Sequence, residues 1–167
     1  MRFFKTFVPI AIVLASAGSA WAERLAAPTG QVLLTVSGNI ENTNGDSGAA
    51  FDRTMLEDLD WQQIETFTSF TDGPQQFAGP TLASLLSETG AEGTQLRATA
   101  INDYSVQIPM DHVEAHNVIL AVDHNGKQMR VRNKGPIWVV YPMSEAEAAK
   151  KPFDGEMIWQ LNRISVE

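Results

Sequence analysis

The chain has 167 residues, of which 12 are lysine or arginine and 20 are aspartate or glutamate, and it contains no cysteine. Disulfide bonds and thiolate metal sites are therefore excluded. The formal net charge of −8 makes nucleic acid and anionic membrane surfaces poor partners, because affinity for either depends on clustered lysine and arginine.

The start of the chain has the layout of a secretory signal peptide. Arg2 and Lys5 precede an apolar run over 7–17, and small residues follow it up to Ala22. The run is shorter than the ~20 residues that cross a bilayer as a helix, which disfavours the alternative of an uncleaved anchor. We expect a signal peptide over 1–22 with cleavage after Ala22, export to the periplasm without membrane insertion, and a single mature domain over 23–167.

The first half of that domain predicts two strands and one helix. The short apolar stretch 32–36 favours a strand that is buried on both faces. Asp52 stands at an N-cap position before apolar residues at helical spacing, which predicts a helix to about Leu59. Residues 64–70 alternate in character and predict a second strand, which ends at the turn 72–74.

The second half predicts one helix and several strands. Leu82, Leu85 and Leu86 follow helical spacing after Thr81, and Gly90 stands where a helix stop is expected. Further elements are strands at 96–101, 105–108, 118–122, 128–131, 137–141 and 158–166, and a hairpin turn at 124–127. Strands outnumber helices and the helices are scattered singly, so we expect an α+β domain with mixed sheets rather than a regular βα alternation.

Four pieces of sequence, spread over 32–166, carry a resemblance to a known family. In chain order they are Phe77-Ala78-Gly79 with the leucine-rich helix after it, Asn102-Asp103-Tyr104 before Ile108-Pro109, Asp123-His124-Asn125-Gly126 before Lys127-Gln128-Met129, and Gly135-Pro136 with Tyr141-Pro142. In residue type and order they resemble the molybdopterin-binding domain of the sulfite-oxidase-like oxidoreductases. The resemblance implies that family's fold, with mixed sheets and a few short helices. It also implies a site in which one cysteine thiolate holds molybdenum and basic residues hold the anionic pterin.

The resemblance fails at the positions that would hold this group. The loop expected to carry the thiolate falls near 66–71 and offers only hydroxyls, with Asp72 beside it. A neutral hydroxyl is a far poorer metal ligand than a thiolate. Trp138 and Trp159 stand where the family usually has basic residues, and each lost cation weakens the hold on a pyrophosphate. We therefore predict no cofactor, with molybdopterin as the alternative.

If the family's pocket persists without its cations, it becomes a flat apolar slot suited to a ring or an uncharged ligand. The candidate lining residues are Thr68, Ser69, Asp72, Tyr104, Lys134, Trp138, Tyr141 and Trp159. The two tryptophans have the alternative role of filling the core, which would close the pocket and favour a protein partner. We predict no catalytic residue. We also predict no metal site, because His112 and His116 alone are too few ligands for a closed site.

These features favour a non-catalytic exported protein that binds an unidentified small molecule or a periplasmic protein. Two alternatives stay open. One is a molybdopterin-dependent oxidoreductase that uses an oxygen ligand in place of cysteine, drawn from Thr68, Ser69, Thr71 or Asp72. The other is a periplasmic partner of a membrane sensor or redox complex, whose association the acidic surface would steer.

Overall fold

The structure is a computed structural model that describes residues 25–167. The predicted signal peptide therefore lies outside the described residues. Among residues 25–167, no helix has the length and apolar character needed to cross a membrane.

Eleven strands and four short α-helices make up the described part of the chain. The strands are β1 (Val32–Gly38), β2 (Ala49–Asp52), β3 (Trp61–Thr66), β4 (Gln75–Pro80), β5 (Gln95–Ala100), β6 (Ser105–Pro109), β7 (Ile119–Ala121), β8 (Asp123–His124), β9 (Lys127–Gln128), β10 (Trp138–Val140) and β11 (Leu161–Val166). The helices are α1 (Arg53–Glu57), α2 (Leu82–Thr89), α3 (Met110–His116) and α4 (Glu145–Ala148), and a 3₁₀ turn covers Val131–Asn133.

The strands form three sheets. A five-stranded sheet has the order β2-β1-β11-β5-β6, in which β1 and β11 are parallel and the other neighbours antiparallel. A four-stranded antiparallel sheet has the order β3-β4-β8-β9, and β7 and β10 form an antiparallel pair. The α+β prediction with mixed sheets and few helices is confirmed.

The core is centred on β7 and β10, in which every residue is buried. Leucines of α2 and the inward residues of the five-stranded sheet pack into the same core. Its largest fully buried side chains are Trp138, Tyr141, Phe51 and Phe77. Large aromatic side chains contribute most to core burial.

Local capping explains why the predicted helices form. The Asp52 carboxylate accepts a hydrogen bond from the backbone N–H of Met55 at the start of α1. The Thr81 hydroxyl accepts one from the backbone N–H of Ser84 at the start of α2. Gly90 ends α2 in the left-handed conformation at φ 59°, which glycine adopts without steric cost. The helix after Thr81 is confirmed, and the helix after Asp52 is confirmed with an earlier end.

Three strand predictions need correction. Strand β3 ends at Thr66 instead of continuing to 70, because the hydroxyls after it bond locally and replace the ladder. The strand predicted at 128–131 is wrong after Gln128, since the chain turns back through bonds from Asn133 and Gly135 to the carbonyl of Arg130. Burial of β1 on both faces is incomplete, because Thr35 is only half-buried.

Candidate binding site

A lysine side chain lies inside a group of three aromatic rings. The Lys134 ammonium is 4.1 Å from the ring centre of Trp138, 5.1 Å from that of Trp159 and 5.5 Å from that of Phe70. It also donates a hydrogen bond of 3.2 Å to the Phe70 carbonyl. Burial lowers the pKa of Lys134. The positive charge of this residue is therefore committed to the protein's own rings through cation–π contacts.

Two of these rings border a depression of about 310 Å³, which we call the aromatic depression. Phe70 and Trp159 meet edge to face at 5.3 Å, and Tyr104 stands nearby, at the turn between β5 and β6. Tyr104 is 59% exposed and Trp159 is 39% exposed. The rest of the lining is Ala100, Asn102, Val106, Asp154, Gly155, Met157, Ile158 and Gln160.

The segment 153–158, which we call the wall loop, forms one side of this depression and is held from three directions. Ser69 donates to the Asp154 carboxylate at 2.5 Å, and the Trp138 indole donates to the Met157 carbonyl at 3.0 Å. The Tyr141 hydroxyl donates to the Glu156 carboxylate at 2.6 Å. The depression is therefore largely preformed, as ligand sites usually are.

Behind the wall loop lies a polar cluster in which Tyr141 is buried and His112 and Glu156 are half-buried. The ring of Tyr141 stacks on Phe153 at 4.2 Å, and Glu156 also lies 2.9 Å from the Nδ1 atom of His112. Burial, and then the bond to Glu156, raise the pKa of Tyr141. His112 and His116 lie on one face of α3, with ring centres 5.3 Å apart. In residues 25–167 histidine and carboxylate side chains nowhere form a group of three suited to a metal ion.

The segment 67–72, which we call the hydroxyl loop, has its hydroxyls bonded within the protein. Thr68 and Thr71 bond each other at 2.9 Å, and Thr68 also accepts from the backbone of Phe70. Just before the loop, Thr66 donates to the carbonyl of Met143 and accepts from its backbone N–H. These groups satisfy one another, as buried polar groups generally do.

The structure does not bring the eight candidate residues into one cavity. Tyr104 and Trp159 line the aromatic depression, with Lys134 behind them. Thr68 and Ser69 line a separate depression of about 310 Å³ beside α4. The other three lie apart: Trp138 and Tyr141 are buried in the core, and Asp72 is exposed in a turn.

The sequence model of a known family, described as the oxidoreductase molybdopterin binding domain, matches residues 50–152. That match covers more than half of the chain. The protein belongs to this family. The resemblance inferred from the four sequence pieces is therefore confirmed. No curated protein matches the sequence.

A solved structure supports the same fold. The chain superposes on the sulfane dehydrogenase SoxCD from Paracoccus pantotrophus with a TM-score of 0.60 and 18% sequence identity. The match covers 85% of this chain and 39% of the SoxCD chain, so this protein spans well under half of that enzyme's length. At this identity the likeness shows the molybdopterin-binding-domain fold alone.

The hydroxyl loop of this family member does not supply the metal anchor that a molybdenum-pterin group needs. Such a group needs an anionic anchor for the metal and free cations for its phosphate. The hydroxyl loop has no thiolate, and its hydroxyls are engaged in bonds within the protein. The ammonium of Lys134 lies among three rings and bonds a backbone carbonyl. Arg130 and Arg132 are exposed at the 3₁₀ turn, and Lys151 lines the depression beside α4, so cations are present where the anchor for the metal is not.

Several residues of the aromatic depression were missed by sequence reasoning. Phe70 lies between Ser69 and Thr71, two of the candidate oxygen ligands, and its apolar character is the signal that the sequence offers. Asp154, Met157 and Gln160 come from an irregular segment with no periodicity or motif. Their placement depends on bonds to Ser69, Trp138 and Val131, which are distant in sequence.

Proposed function

We propose that this protein is a non-catalytic binding module whose ligand is a molecule with a flat, uncharged ring that enters the aromatic depression. The observation that carries the proposal is the exposure of Tyr104 and Trp159 at the border of a 310 Å³ depression. Soluble proteins rarely leave large aromatic side chains exposed together without use.

The composition of the depression supports a ring without strong charge. Phe70, Tyr104 and Trp159 supply ring faces and edges, and Met157 and Ile158 add apolar surface. The Gln160 amide oxygen and the Asn102 amide nitrogen orient a polar substituent, since the Gln160 Nε2 donates to the Val131 carbonyl and the Asn102 Oδ1 accepts from the Tyr104 N–H. A phosphorylated ligand is disfavoured because the lining contains the Asp154 carboxylate and no lysine or arginine, and Lys134 is turned toward the protein's own rings.

A role without redox chemistry is supported by the donor set. An oxygen-ligated molybdenum site built on Thr68, Ser69 or Thr71 would require that residue to leave hydrogen bonds that it makes in the folded protein. It would also require one of these neutral hydroxyls to ionise, which is unfavourable. Asp72, the fourth candidate ligand, is exposed and lines neither the aromatic depression nor the depression beside α4. The alternative oxidoreductase is thus less well supported than the binding module. Periplasmic location rests on residues 1–22 and is part of the proposal.

Ligand-detected NMR with a set of one-ring and two-ring compounds tests the binding function. We expect binders that shift the amide signals of the wall loop and of the β5–β6 turn. Trp159→Ala should weaken binding by roughly ten-fold or more, as loss of an aromatic hot spot does. Trp159→Phe, which keeps a ring, should retain most of the affinity. Binders that shift only signals elsewhere, or bind Trp159→Ala equally well, would overturn the proposal.

Elemental analysis tests the absence of redox chemistry. The protein purified from its native host, grown with ample molybdate, should contain no stoichiometric molybdenum and no pterin. Stoichiometric molybdenum that disappears in Thr68→Val, Ser69→Ala, Thr71→Val or Asp72→Asn, with the fold retained, would establish the oxidoreductase instead.

A further inference from the structure

A further depression, of about 480 Å³, lies between α2 and α3 and shares no residue with the aromatic depression. We call it the acidic groove. Its lining residues are Glu41, Ala83, Leu86, Ser87, Gly90, Ala91, Glu92, Gly93, Met110, Val113 and Glu114. A shallower depression of about 290 Å³ contains Glu41, Gly90 and Glu92 as well and extends the groove toward Asn39.

The floor of the acidic groove is aliphatic. Leu86 from α2 and Val113 from α3 are buried beneath it, and Met110 and Ala91 are half-buried at its sides. Ala83, on the outward side of α2, is exposed. A floor of this kind accepts apolar side chains from another polypeptide, as helix-binding grooves do.

The rim of the groove is negatively charged. Glu41 lies in the segment after β1, Glu92 in the segment after α2, and Glu114 in α3. The three glutamates therefore line the groove from three separate parts of the chain. All three are exposed, and none forms an ion pair within residues 25–167. The lining contains no lysine or arginine. The rim therefore presents negative charge that the protein's own side chains leave uncompensated.

Backbone hydrogen bonds fix the position of two of these glutamates. The N–H of Glu41 donates to the carbonyl of Thr89 at 3.0 Å, and the N–H of Glu92 donates to the carbonyl of Asn39 at 3.0 Å. Gly90, in its left-handed conformation, turns the chain between α2 and Glu92. The rim is thus preorganised, which reduces the entropy lost when a partner binds.

We propose that the acidic groove is a docking surface for an amphipathic helix of a partner protein that carries lysine or arginine beside its apolar face. The apolar floor supplies the contact area, and the three carboxylates of the rim select for positive charge and against acidic segments. The formal net charge of −8 steers a basic segment toward the protein. The proposal does not depend on the aromatic depression or its ligand.

A short blocked peptide tests the groove in the full-length mature protein. The peptide is designed with leucines along one helical face and lysines beside them, and a scrambled peptide of the same composition lacks the apolar face. Backbone amide NMR should show shifts at residues 83–93 and 110–114 with the designed peptide. The scrambled peptide should bind roughly five-fold more weakly or worse, and affinity should fall from low to physiological ionic strength.

A matched pair of variants separates docking from general charge attraction. Glu92→Gln with Glu114→Gln should weaken binding roughly five-fold or more, since two exposed ion pairs are lost. Glu65→Gln with Glu145→Gln changes net charge equally at exposed positions outside the groove, and should leave affinity within about two-fold. Equal weakening by both pairs, shifts outside the groove, or equal binding of the two peptides would overturn the proposal.

Discussion

Asp52 joins three points of the chain with one buried carboxylate. It accepts hydrogen bonds of 2.7 Å from the backbone N–H groups of Thr29 and Gly30 and of 3.0 Å from that of Met55. These bonds, with that to Met55 the largest cause, lower the pKa of Asp52. The same side chain thus caps α1 and attaches the segment that leads into β1. Its negative charge strengthens the hydrogen bonds at both places.

We predict that Asp52→Asn reduces the stability of the protein and flattens its dependence on pH in acid. The pKa of Asp52 is lower in the folded chain than in the unfolded chain. Its stabilisation is therefore fully present above the unfolded value of ~3.9 and is lost as the pH falls through the folded value. Denaturant unfolding at pH 7 and at successive acid pH values measures this, with Asp46→Asn, an exposed loop carboxylate, as the control. Parallel pH profiles for wild type and Asp52→Asn would contradict it.

At the level of single residues, the structure places the candidate site residues in different environments. Tyr104 and Trp159 were chosen because aromatic residues stood at informative positions, and they line the aromatic depression. Trp138 and Tyr141, chosen on the same grounds, are buried. Residue type does not distinguish an indole in the core from one at the border of a cavity. That distinction depends on partners that fold next to it, such as Met157 for Trp138.

Among the elements, β4 and β7 approach each other closely at a glycine. A Cβ atom on Gly79 would overlap the carbonyl oxygen of Leu120, which belongs to β7. The backbone N–H of Val122 bonds the carbonyl of Ala78 at 2.8 Å, next to this contact. Gly79 therefore allows the four-stranded sheet to pack directly against the β7–β10 pair in the core.

We predict that Gly79→Ala destabilises the protein by about 3 kcal/mol, because the added methyl forces β4 away from β7 in a close-packed interior. Thermal and denaturant unfolding measure the change. Gly155→Ala is the matched control, since a Cβ at that position meets no atom within 4 Å. Equal stability of the two variants would show that β4 and β7 separate without cost.

The ends of α1 and α2 were easier to predict than the ends of strands, for a physical reason, whereas the sequence did not predict α3 and α4. The ends of α1 and α2 are determined by Asp52, Thr81 and Gly90, which act within a few residues along the chain. The ends of strands depend on which groups pair across the fold. Residues 67–70 have the alternation of a strand, yet Phe67 bonds Met143 and the loop hydroxyls bond one another. An alternating residue pattern contains no information about bonds to such distant parts of the chain.

At the scale of the whole molecule, the wall loop connects the aromatic depression to the polar cluster of Tyr141, Glu156 and His112. Asp154 and Met157 line the depression, and Glu156, between them in the chain, points to Tyr141 and His112. Three side chains thus hold the wall loop by hydrogen bonds. They are Ser69 of the hydroxyl loop, Trp138 of β10 and Tyr141, which follows β10. The shape of the depression therefore depends on side chains that never touch a ligand in it.

We predict that Tyr141→Phe loosens the wall loop and weakens ring-ligand binding without changing any residue of the aromatic depression. Removing this hydrogen bond to a carboxylate costs about 1.5 kcal/mol, and amide exchange over 153–158 should rise by about ten-fold. Tyr104→Phe, the matched removal of a hydroxyl from the exposed tyrosine, should leave that exchange unchanged. Hydrogen exchange and ligand titration of both variants check it. If Tyr141→Phe lowers global stability but exchange over 153–158 rises no more than elsewhere, the wall loop is not held by Tyr141, and the ring site owes its shape to Ser69 and Trp138 alone.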